Sequence, residues 1–556
     1  MKNKKHNGKP VYWILNRIKK FIPYILAVTV LQVVIALSLV KLADFSRNVL
    51  DSFESGYTQK ALLSAISIFV VLLIEIFSHI AISLLNVRLS GKLTISLRNY
   101  MFSSIIHKKY PKVFDHHSGD LLNRFTSDIE QIVSGATNII PSVCSMLTKI
   151  VAGIYALIIE NYIFAIIVVI VGFALPLLGK VVSNKYKHLH KEVQRTEGLS
   201  RSFMQESFAN IVVIKTFVSE KPILKKLNEY MKDNLKIKVK RNFYSVLVHM
   251  CLYSAFSFGY YAILVWGAFS IGSGAGGMTF GLLTYYLQLV SMLRMPLQNI
   301  SGVIPQYYSM IASAERLIEL ENIESEPDIL ENNKIKKLTE EFNCIKIENV
   351  SFGYGDEQLL KNCSFNIPKN QITALTGESG SGKSTVFKLL LGLYETQDGT
   401  ITFDGETEID ASTRPMFSYV PQGNMILSGT IRDNLTLCND EIGDSQIKKA
   451  LKTAVIYDFI ETLPDGLDTV LSERGAGLSE GQIQRLSIAR ALLFESPVLL
   501  LDESTSALDE QTETELLTNI KNMTDKTVLF ITHRNTSISV CDNIIHVQNK
   551  KFVKIK

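Results

Sequence analysis

The chain has 556 residues, of which 47% are hydrophobic and 20% are charged, and its formal net charge is +5. This length exceeds one ordinary domain, and the apolar composition favours a membrane protein over a wholly soluble one. The small net charge gives no indication of nucleic-acid binding. Long apolar runs fill the first 311 residues, whereas the rest has the charge density of a soluble domain.

The first twenty residues are basic and contain no acid. The positive-inside rule therefore predicts a cytoplasmic N-terminus over residues 1–20. A basic start before an apolar run also fits a signal peptide, but no small-residue cleavage site follows and further apolar runs do.

Six segments contain the roughly 20 mainly apolar residues that a membrane-spanning helix needs. They are 21–43, 61–85, 139–159, 162–182, 243–271 and 279–311. Six crossings from a cytoplasmic N-terminus return the chain to the cytoplasm at residue 312. The sequence therefore predicts an all-α six-helix transmembrane domain over 21–320.

The connections on the two sides of the membrane differ. The outer ones are short, whereas the inner ones, 86–138 and 183–242, are long, rich in Lys and Arg, and poor in Gly and Pro. We predict that they continue the membrane helices as long cytoplasmic helical extensions. Two small independent cytoplasmic domains are the alternative, but neither stretch shows strand patterns or turn clusters.

Ionisable residues inside the predicted spans are candidates for function. Glu75 and His79 lie four positions apart on one helical face, and Lys149 lies in the third span. Buried charges usually pair, so a structural Glu75–Lys149 ion pair is favoured over a cargo site. The last span offers side chains that suit either amphipathic cargo or packing: Tyr285, Tyr286, Gln288, Met292 and Met295.

The six cysteines show no CxxC spacing and no histidine at metal-binding distance, which fits small buried residues facing a reducing cytosol. They are Cys144, Cys251, Cys344, Cys363, Cys438 and Cys541, and we assign them no chemistry.

An acidic, polar stretch at 321–343 is typical of a linker, and the chain changes character after it. From Cys344, short apolar strands alternate with helices, which predicts an α/β domain over 344–556.

In this domain a strand runs directly into a GxxxxGK[ST] motif and a helix, the arrangement of a phosphate-binding loop. The motif consists of Gly377, Glu378, Ser379, Gly380, Ser381, Gly382, Lys383, Ser384 and Thr385. Backbone N–H groups of such a loop wrap phosphates, Lys383 supplies a charge to the β and γ phosphates, and Ser384 can bind Mg²⁺.

A second motif, Pro497 to Leu501 followed by Asp502 and Glu503, has the pattern of a buried parallel strand with carboxylates at its C-terminal edge. Asp502 is predicted to hold Mg²⁺, and Glu503 to orient or deprotonate the attacking water.

The third motif is Leu478-Ser-Glu-Gly-Gln482, immediately before a helical segment. Ser479 and Gln482 form a capping-box pattern, and an uncovered helix N-terminus can also hold a phosphate. Here the sequence resembles the ATP-binding cassette (ABC) superfamily, specifically an exporter-type half-transporter. Its signature is usually LSGGQ, and this chain has Glu480 at the third position while keeping Ser479 and Gly481.

The resemblance extends over the whole chain. The further matches are Tyr354 with the aromatic that stacks on adenine, Gln422 with the Q-loop, Glu473 with the exporter X-loop glutamate, Asp509 with the D-loop, and His533 with the switch histidine. It implies that Glu503, His533, Lys383 and Gln422 act in catalysis. It also implies that Ser384, Gln422 and Asp502 hold Mg²⁺, and that ATP contacts the phosphate loop, Tyr354, Gln422, His533 and the partner-facing Ser479, Gly481, Gln482 and Asp509.

The resemblance also implies how the chain works. Two cassettes face head to tail, so a second ABC half-transporter is required, and a homodimer is favoured over a heterodimer because Glu503 and His533 are both present. We expect ATP-driven export of a drug-like, peptide or lipid substrate by alternating access. Coupling elements are expected near 112–119 and 205–210, where plain helix-turn-helix is the alternative.

The expected location is the cell (inner or plasma) membrane of a bacterium, with the nucleotide-binding domain in the cytoplasm and no nucleic-acid partner. Alternatives are a soluble ABC ATPase, against which the spans argue, and an ATP-gated channel. Lipid flipping stays open within the transporter class.

Overall fold

The structure is a computed structural model. It describes residues 10–116, 118–273, 277–355, 357–423, 426–472, 477–548 and 551–555. The chain forms two compact units: Met1–Ser103 with Ser118–Glu321, and Ser104–His117 with Asn322–Lys556.

The first unit is helical. Its helices, with those of the 104–117 segment, are α1 (Pro10–Ile18), α2 (Ile22–Glu54), α3 (Thr58–Ile106), α4 (Tyr110–Phe114), α5 (Ser118–Asn123), α6 (Ile129–Glu160), α7 (Tyr162–Ala209), α8 (Ile211–Thr216), α9 (Glu220–Gly272) and α10 (Phe280–Glu321). In the described part of the chain, six of these exceed 30 residues, and each contains one predicted span to within one residue. Helices satisfy their backbone groups internally, as a bilayer requires. The predicted helical transmembrane region and its long extensions are confirmed.

Three helical stretches among the described residues are long and apolar enough to cross a membrane: Pro10–Glu54, Thr58–Ile106 and Gly119–Glu160. The other three spans stay predictions from the sequence.

Two expectations about membrane residues can be compared with the structure. Glu75 lies 3.9 Å from His79, one turn along the same helix, and does not reach Lys149 on α6. The predicted Glu75–Lys149 ion pair is therefore wrong, because the nearest partner is the i,i+4 neighbour. Tyr285 and Tyr286 are buried at 6% and 3% exposure in a cluster with α6 and α9 residues, which favours the packing alternative for both.

The second unit contains two main sheets. One has the order β12-β11-β3-β10-β9-β6 and the other, antiparallel, the order β2-β1-β4-β5, while β7 and β8 form a small pair. The strands are β1 (Cys344–Tyr354), β2 (Glu357–Pro368), β3 (Ile372–Gly377), β4 (Asp398–Phe403), β5 (Thr407–Glu408), β6 (Phe417–Val420), β7 (Gly429–Thr430), β8 (Val470–Leu471), β9 (Val498–Asp502), β10 (Thr527–Ile531), β11 (Asn543–Gln548) and β12 (Lys551–Lys554).

Helices of this unit flank the sheets. They are α11 (Asn332–Glu341), α12 (Lys383–Leu390), α13 (Ile431–Thr436), α14 (Asp444–Thr453), α15 (Tyr457–Glu461), α16 (Glu480–Leu493), α17 (Glu510–Lys521) and α18 (Asn535–Val540). Strands β3, β9 and β10 are buried at every position. Strands buried on both faces read as continuous apolar runs, which is why their sequences show no alternation. The predicted α/β domain is confirmed.

The segment 104–117 belongs to the second unit. A single boundary at residue 320 would assign this segment to the first unit instead. Its Lys109 ammonium lies 2.8 Å from Glu395 and 3.2 Å from Glu324. Lys108 also pairs with Ser325 in an antiparallel bridge. The ring of Tyr110 packs edge-on against that of Tyr394 at 5.8 Å. This loop between α3 and α6 is thus held by side chains of the second unit.

Candidate functional site

Four parallel strands of the larger sheet deliver the candidate residues to one edge. Neighbours β3, β10, β9 and β6 are parallel, and Ile531 pairs with both Leu375 and Asp502. Carboxyl ends of parallel strands meet at the edge where α/β sheets bind ligands. The phosphate loop follows β3, and the other strands are followed by Gln422, Glu503 and His533.

Lys383 is the first residue of α12, and its side chain turns back into the loop. Its ammonium donates to the carbonyl oxygens of Gly377 and Glu378 at 2.8 and 2.7 Å. Lys383 is only 4% exposed, and burial lowers its pKa, against the raising effect of Glu503 and Asp502. The loop thereby holds a positive charge at the N-terminus of α12, where anions bind.

Two loop glycines have backbone conformations that a side chain opposes. Gly377 has φ of +138°, and a Cβ there would lie 2.7 Å from the carbonyl oxygen of Val547. Gly382 has φ of +97°, and its Cβ would meet Leu360 at 2.8 Å. The glycines are therefore needed both for φ and for close packing.

We expect Gly377→Ala to weaken ATP binding at least tenfold, because the Cβ would push the loop away from β11. Binding of a fluorescent ATP analogue to the full chain in nanodiscs measures this. Gly380→Ala is the matched control, since that glycine has φ of +78° but no atom within 4 Å of the added Cβ. Equal losses in both variants would contradict the role of the Val547 contact.

Asp502 lies at the end of β9 with 1% exposure. Ser384 donates to one carboxylate oxygen at 3.0 Å, and the Tyr419 hydroxyl to the other at 3.3 Å. Burial raises the pKa of Asp502, while these two hydrogen bonds oppose the rise. Tyr419 was not among the residues predicted from the sequence; its place three residues before Gln422 is the signal that could have found it.

Glu503 contacts two other residues of the predicted catalytic group. Gln422 Nε2 donates to its Oε2 at 2.6 Å, and His533 Nε2 lies 3.6 Å from its Oε1. Its backbone has φ of +48°, which is uncommon for a residue with a side chain. Such strain, on the order of 1–3 kcal/mol, often marks functional positions. The structure thus brings Gln422, Glu503 and His533 together.

Tyr354 lies at the end of β1 with 37% exposure. Phe352 and Tyr394 pack edge-on against its ring at 5.1 and 5.2 Å. The Lys388 ammonium lies 5.5 Å from the ring centroid. The ring is fixed by neighbours and partly open, as stacking on a base would need.

The signature residues form a separate group. Ser479 Oγ accepts from the backbone N–H of Gln482 at 3.3 Å, and Gln482 Oε1 accepts from the N–H of Ser479 at 2.8 Å. The predicted capping box is therefore present. Gln484 on α16 bonds to Ser506 and to the N–H of Ala507, both at 3.1 Å.

Asp509 caps α17 by accepting from the N–H of Thr512 at 2.9 Å, which lowers its pKa. Among the described residues, no hydrogen bond or ion pair joins Ser479, Gln482 or Asp509 to Lys383 or Glu503. Glu473 lies outside the described residues.

A buried network behind the site was not predicted. Glu513 on α17 is fully buried and accepts hydrogen bonds from Thr505, Ser537 and Arg534. Burial acts to raise its pKa, but these hydrogen bonds hold the pKa below its ordinary value. Arg534, next to His533, also donates to the carbonyls of Leu508 and Ser506 at 2.8 Å. The network ties the loop after β10 to the loop after β9.

A membrane-spanning helical unit fused to a parallel-sheet unit with a phosphate loop defines the class of ATP-driven membrane transporters. Models described as "ABC transporter transmembrane region" and "ABC transporter" match residues 21–297 and 360–506. The chain belongs to the ABC transporter family.

Relatives and a solved structure agree with this assignment. An ATP-dependent lipid A-core flippase of Haemophilus ducreyi is 30% identical, covering 90% of this chain and 86% of the relative. A putative export ATP-binding/permease protein of Rickettsia bellii is 28% identical, covering 97% and 94%. A bacterial Atm1-family ABC exporter with ATP bound shares the fold with a TM-score of 0.78 at 23% identity, covering 96% and 94%.

The chain is thus a membrane-embedded ABC exporter. Its cassette binds ATP and is an ATPase whose hydrolysis is coupled to transport.

Proposed function

We propose that this chain exports a drug-like, peptide or lipid substrate from the cytoplasm by alternating access, as a multi-pass protein of a bacterial inner membrane. The observation that carries the mechanism is the position of Glu503 between Gln422 and His533, at the strand edge beside the phosphate loop. The Haemophilus relative is a lipid A-core flippase, which supports a lipid as one candidate substrate.

In the proposed mechanism, Lys383 and the backbone N–H groups of residues 377–385 bind the ATP phosphates. Glu503 accepts a proton from, or orients, the attacking water, and His533 contacts the γ-phosphate. Gln422 holds the Glu503 carboxylate in place. Tyr354 would stack on the adenine.

The residues also fit a magnesium ion. Ser384 and Asp502 place a hydroxyl and a carboxylate oxygen within 3.0 Å of each other, and Gln422 lies at the same strand edge. Oxygen ligands of this kind are those that Mg²⁺ takes in nucleotide sites. When bound, Mg²⁺ neutralises charge on the β and γ phosphate oxygens.

We propose that the active form is a homodimer. Supporting this, the signature group at Ser479–Gln482 is not bonded to the phosphate-loop group among the described residues, so a second copy would complete each site. Every predicted hydrolytic residue is present in this chain, which gives no reason for a heterodimer with a competent partner.

The proposed division is a basic N-terminus over 1–20, a transmembrane domain over 21–320, a linker over 321–343 and a nucleotide-binding domain over 344–556. The Lys109 contacts to Glu324 and Glu395 support transmission through the first inner loop, including the coupling element at 112–119. The second coupling element, at 205–210, lies where α7 ends.

The test is reconstitution of the purified chain alone. We expect ATP hydrolysis in nanodiscs, and ATP-dependent movement of fluorescent lipid or drug probes in proteoliposomes without ionic conductance. Lys383→Ala should lose both activities, because the phosphates lose their buried charge. No hydrolysis by folded wild-type protein would contradict the homodimer, and ATP-gated conductance without probe movement would contradict export.

A further inference from the structure

One face of α6 is polar along most of its length. Its members recur every three or four positions and therefore lie on one side of the helix: Gln131, Ser134, Asn138, Ser142, Ser145 and Lys149. The exposed apolar side chains Ile140, Leu147 and Val151 fall about half a turn away. A lipid-facing surface is apolar, so the polar face of α6 serves a different contact.

A matching face lies on α10. Ser291, Asn299, Gln306 and Ser309 are exposed and again three to eight positions apart. The Ser309 hydroxyl donates to Gln131 Oε1 at 3.2 Å, which joins the two faces at one end. We call the two faces together the polar track.

At the other end of the track, α6 and α10 stay in close contact. Gly153 packs so closely on α10 that an added Cβ would lie 2.9 Å from Leu293 and 3.2 Å from Met292. The two helices therefore run side by side for about six turns of α6, from the Gln131–Ser309 contact to Gly153.

Two cations lie where the track ends. Lys149 is eleven positions from the outer end of α6, or roughly 16 Å, and Arg294 is fourteen positions from the start of α10, or roughly 21 Å. The apolar core of a bilayer is about 30 Å thick. Both charges are therefore near its middle. Arg294 follows Ser291 by three positions, so it borders the track on the side of α9.

Neither cation has a carboxylate partner among the described residues within the 4.0 Å of an ion pair. The Arg294 guanidinium stacks on Tyr253 of α9, 4.2 Å from the ring centroid. By contrast, Arg47 near the outer ends of the helices lies 2.5 Å from Glu160 and 3.4 Å from Asp51. A cation–π contact stabilises a cation but does not replace the pairing that a charge in the bilayer requires.

We propose that Lys149 and Arg294 bind the anionic group of an amphipathic substrate, which the polar track admits from the cytoplasmic side. This inference rests on the proposed export function and names its substrate class. The planar guanidinium of Arg294 matches phosphate or carboxylate oxygens, and Lys149 adds a second charge. The substrate anion supplies the negative charge that neither cation finds within ion-pair distance among the described residues.

The test uses wild-type chain in phosphatidylcholine nanodiscs and two fluorescent probes with the same acyl chain. Lysophosphatidic acid carries a net negative charge, and lysophosphatidylcholine carries none. We expect wild type to bind the anionic probe at least tenfold more tightly. The double variant Lys149→Gln with Arg294→Gln should lose this preference.

A matched control removes two exposed cations outside the proposed site, Lys41→Gln with Lys60→Gln, and should keep the preference. The charge-preserving pair Lys149→Arg with Arg294→Lys should also keep most of it, which guards against a folding defect in the neutral variant. Equal binding of the two probes by wild type overturns the inference; this result is expected if carboxylates of a second copy neutralise the two cations. The inference is also overturned if the neutral double variant keeps the preference for the anionic probe, or if the control variant loses it.

ATP hydrolysis in the same wild-type preparation separates this inference from the proposed function. Hydrolysis without an anion preference overturns the substrate class alone. An anion preference without hydrolysis supports the binding site and contradicts the proposed motor.

Discussion

Glu503→Gln is expected to reduce ATP hydrolysis at least about a hundredfold while leaving ATP binding intact, since a positioned general base contributes on the order of 10²–10⁴ in rate. The amide keeps the size of the side chain but cannot accept a proton from water. Lys383 and the loop amides, which hold the phosphates in the proposed mechanism, are untouched. Phosphate release and fluorescent-nucleotide binding, measured on the same nanodisc sample, check both parts.

Glu515→Gln is the matched control for this experiment. Glu515 is exposed on α17, so the Glu515→Gln variant should hydrolyse ATP at the wild-type rate. Hydrolysis by Glu503→Gln within a few-fold of wild type would remove the carboxylate from the mechanism. A parallel loss of ATP binding would instead show that the substitution had rearranged the contacts among Gln422, Glu503 and His533. Glu503 would then act by holding the structure of the loop.

Glu513→Ala is expected to destabilise the region behind the site by about 3 kcal/mol, because the buried carboxylate accepts hydrogen bonds from Thr505, Ser537 and Arg534, each worth on the order of 1 kcal/mol or more. The substitution leaves the Arg534 guanidinium and the hydroxyls of Thr505 and Ser537 without their shared acceptor. Native-state hydrogen exchange of the full chain should then show amides of 505–540 exchanging roughly a hundredfold faster or more, since each 1.36 kcal/mol is a factor of ten.

The control on the same helix is Glu515→Ala, whose exposed side chain should change local stability by less than about 0.5 kcal/mol.

The stabilisation by Glu513 should depend on pH, because the pKa of its carboxyl is lowered in the folded chain. Its contribution to folding stability is complete above the unfolded-state pKa of about 4.3 and is lost as the pH falls through the folded-state value. Similar exchange in Glu513→Ala and wild type would show that the hydrogen bonds to Glu513 add no net stability.

The motifs were readable because each is encoded within a few consecutive residues. The phosphate loop, the strand that ends in Asp502 and Glu503, and the capping box at Ser479 follow from local spacing. Apolar length alone was enough to predict the membrane helices, since a bilayer demands about 20 such residues wherever they occur. The class of protein and the order of its two units therefore followed from sequence.

Contacts between distant residues could not be read in this way. Gln422 meets Glu503 only because β6 lies beside β9 in the sheet, and the sequence order of strands does not state their spatial order. The roles of Tyr419 as a donor to Asp502, and of Glu513 as the acceptor for Arg534, depend on the same packing. The expectation of a Glu75–Lys149 pair was wrong for this reason.

Residue types and their spacing along the chain were enough to show which residues carry charge, which can bind phosphate, and which stretches suit a membrane. Which of those charges have partners became visible only from the packing of the helices. Arg47 has its carboxylates, whereas Lys149 and Arg294 have none among the described residues. The physical reason is that helical periodicity fixes the face on which a residue lies, but helix-to-helix register, set by close contacts such as that of Gly153 with Leu293, fixes what lies opposite.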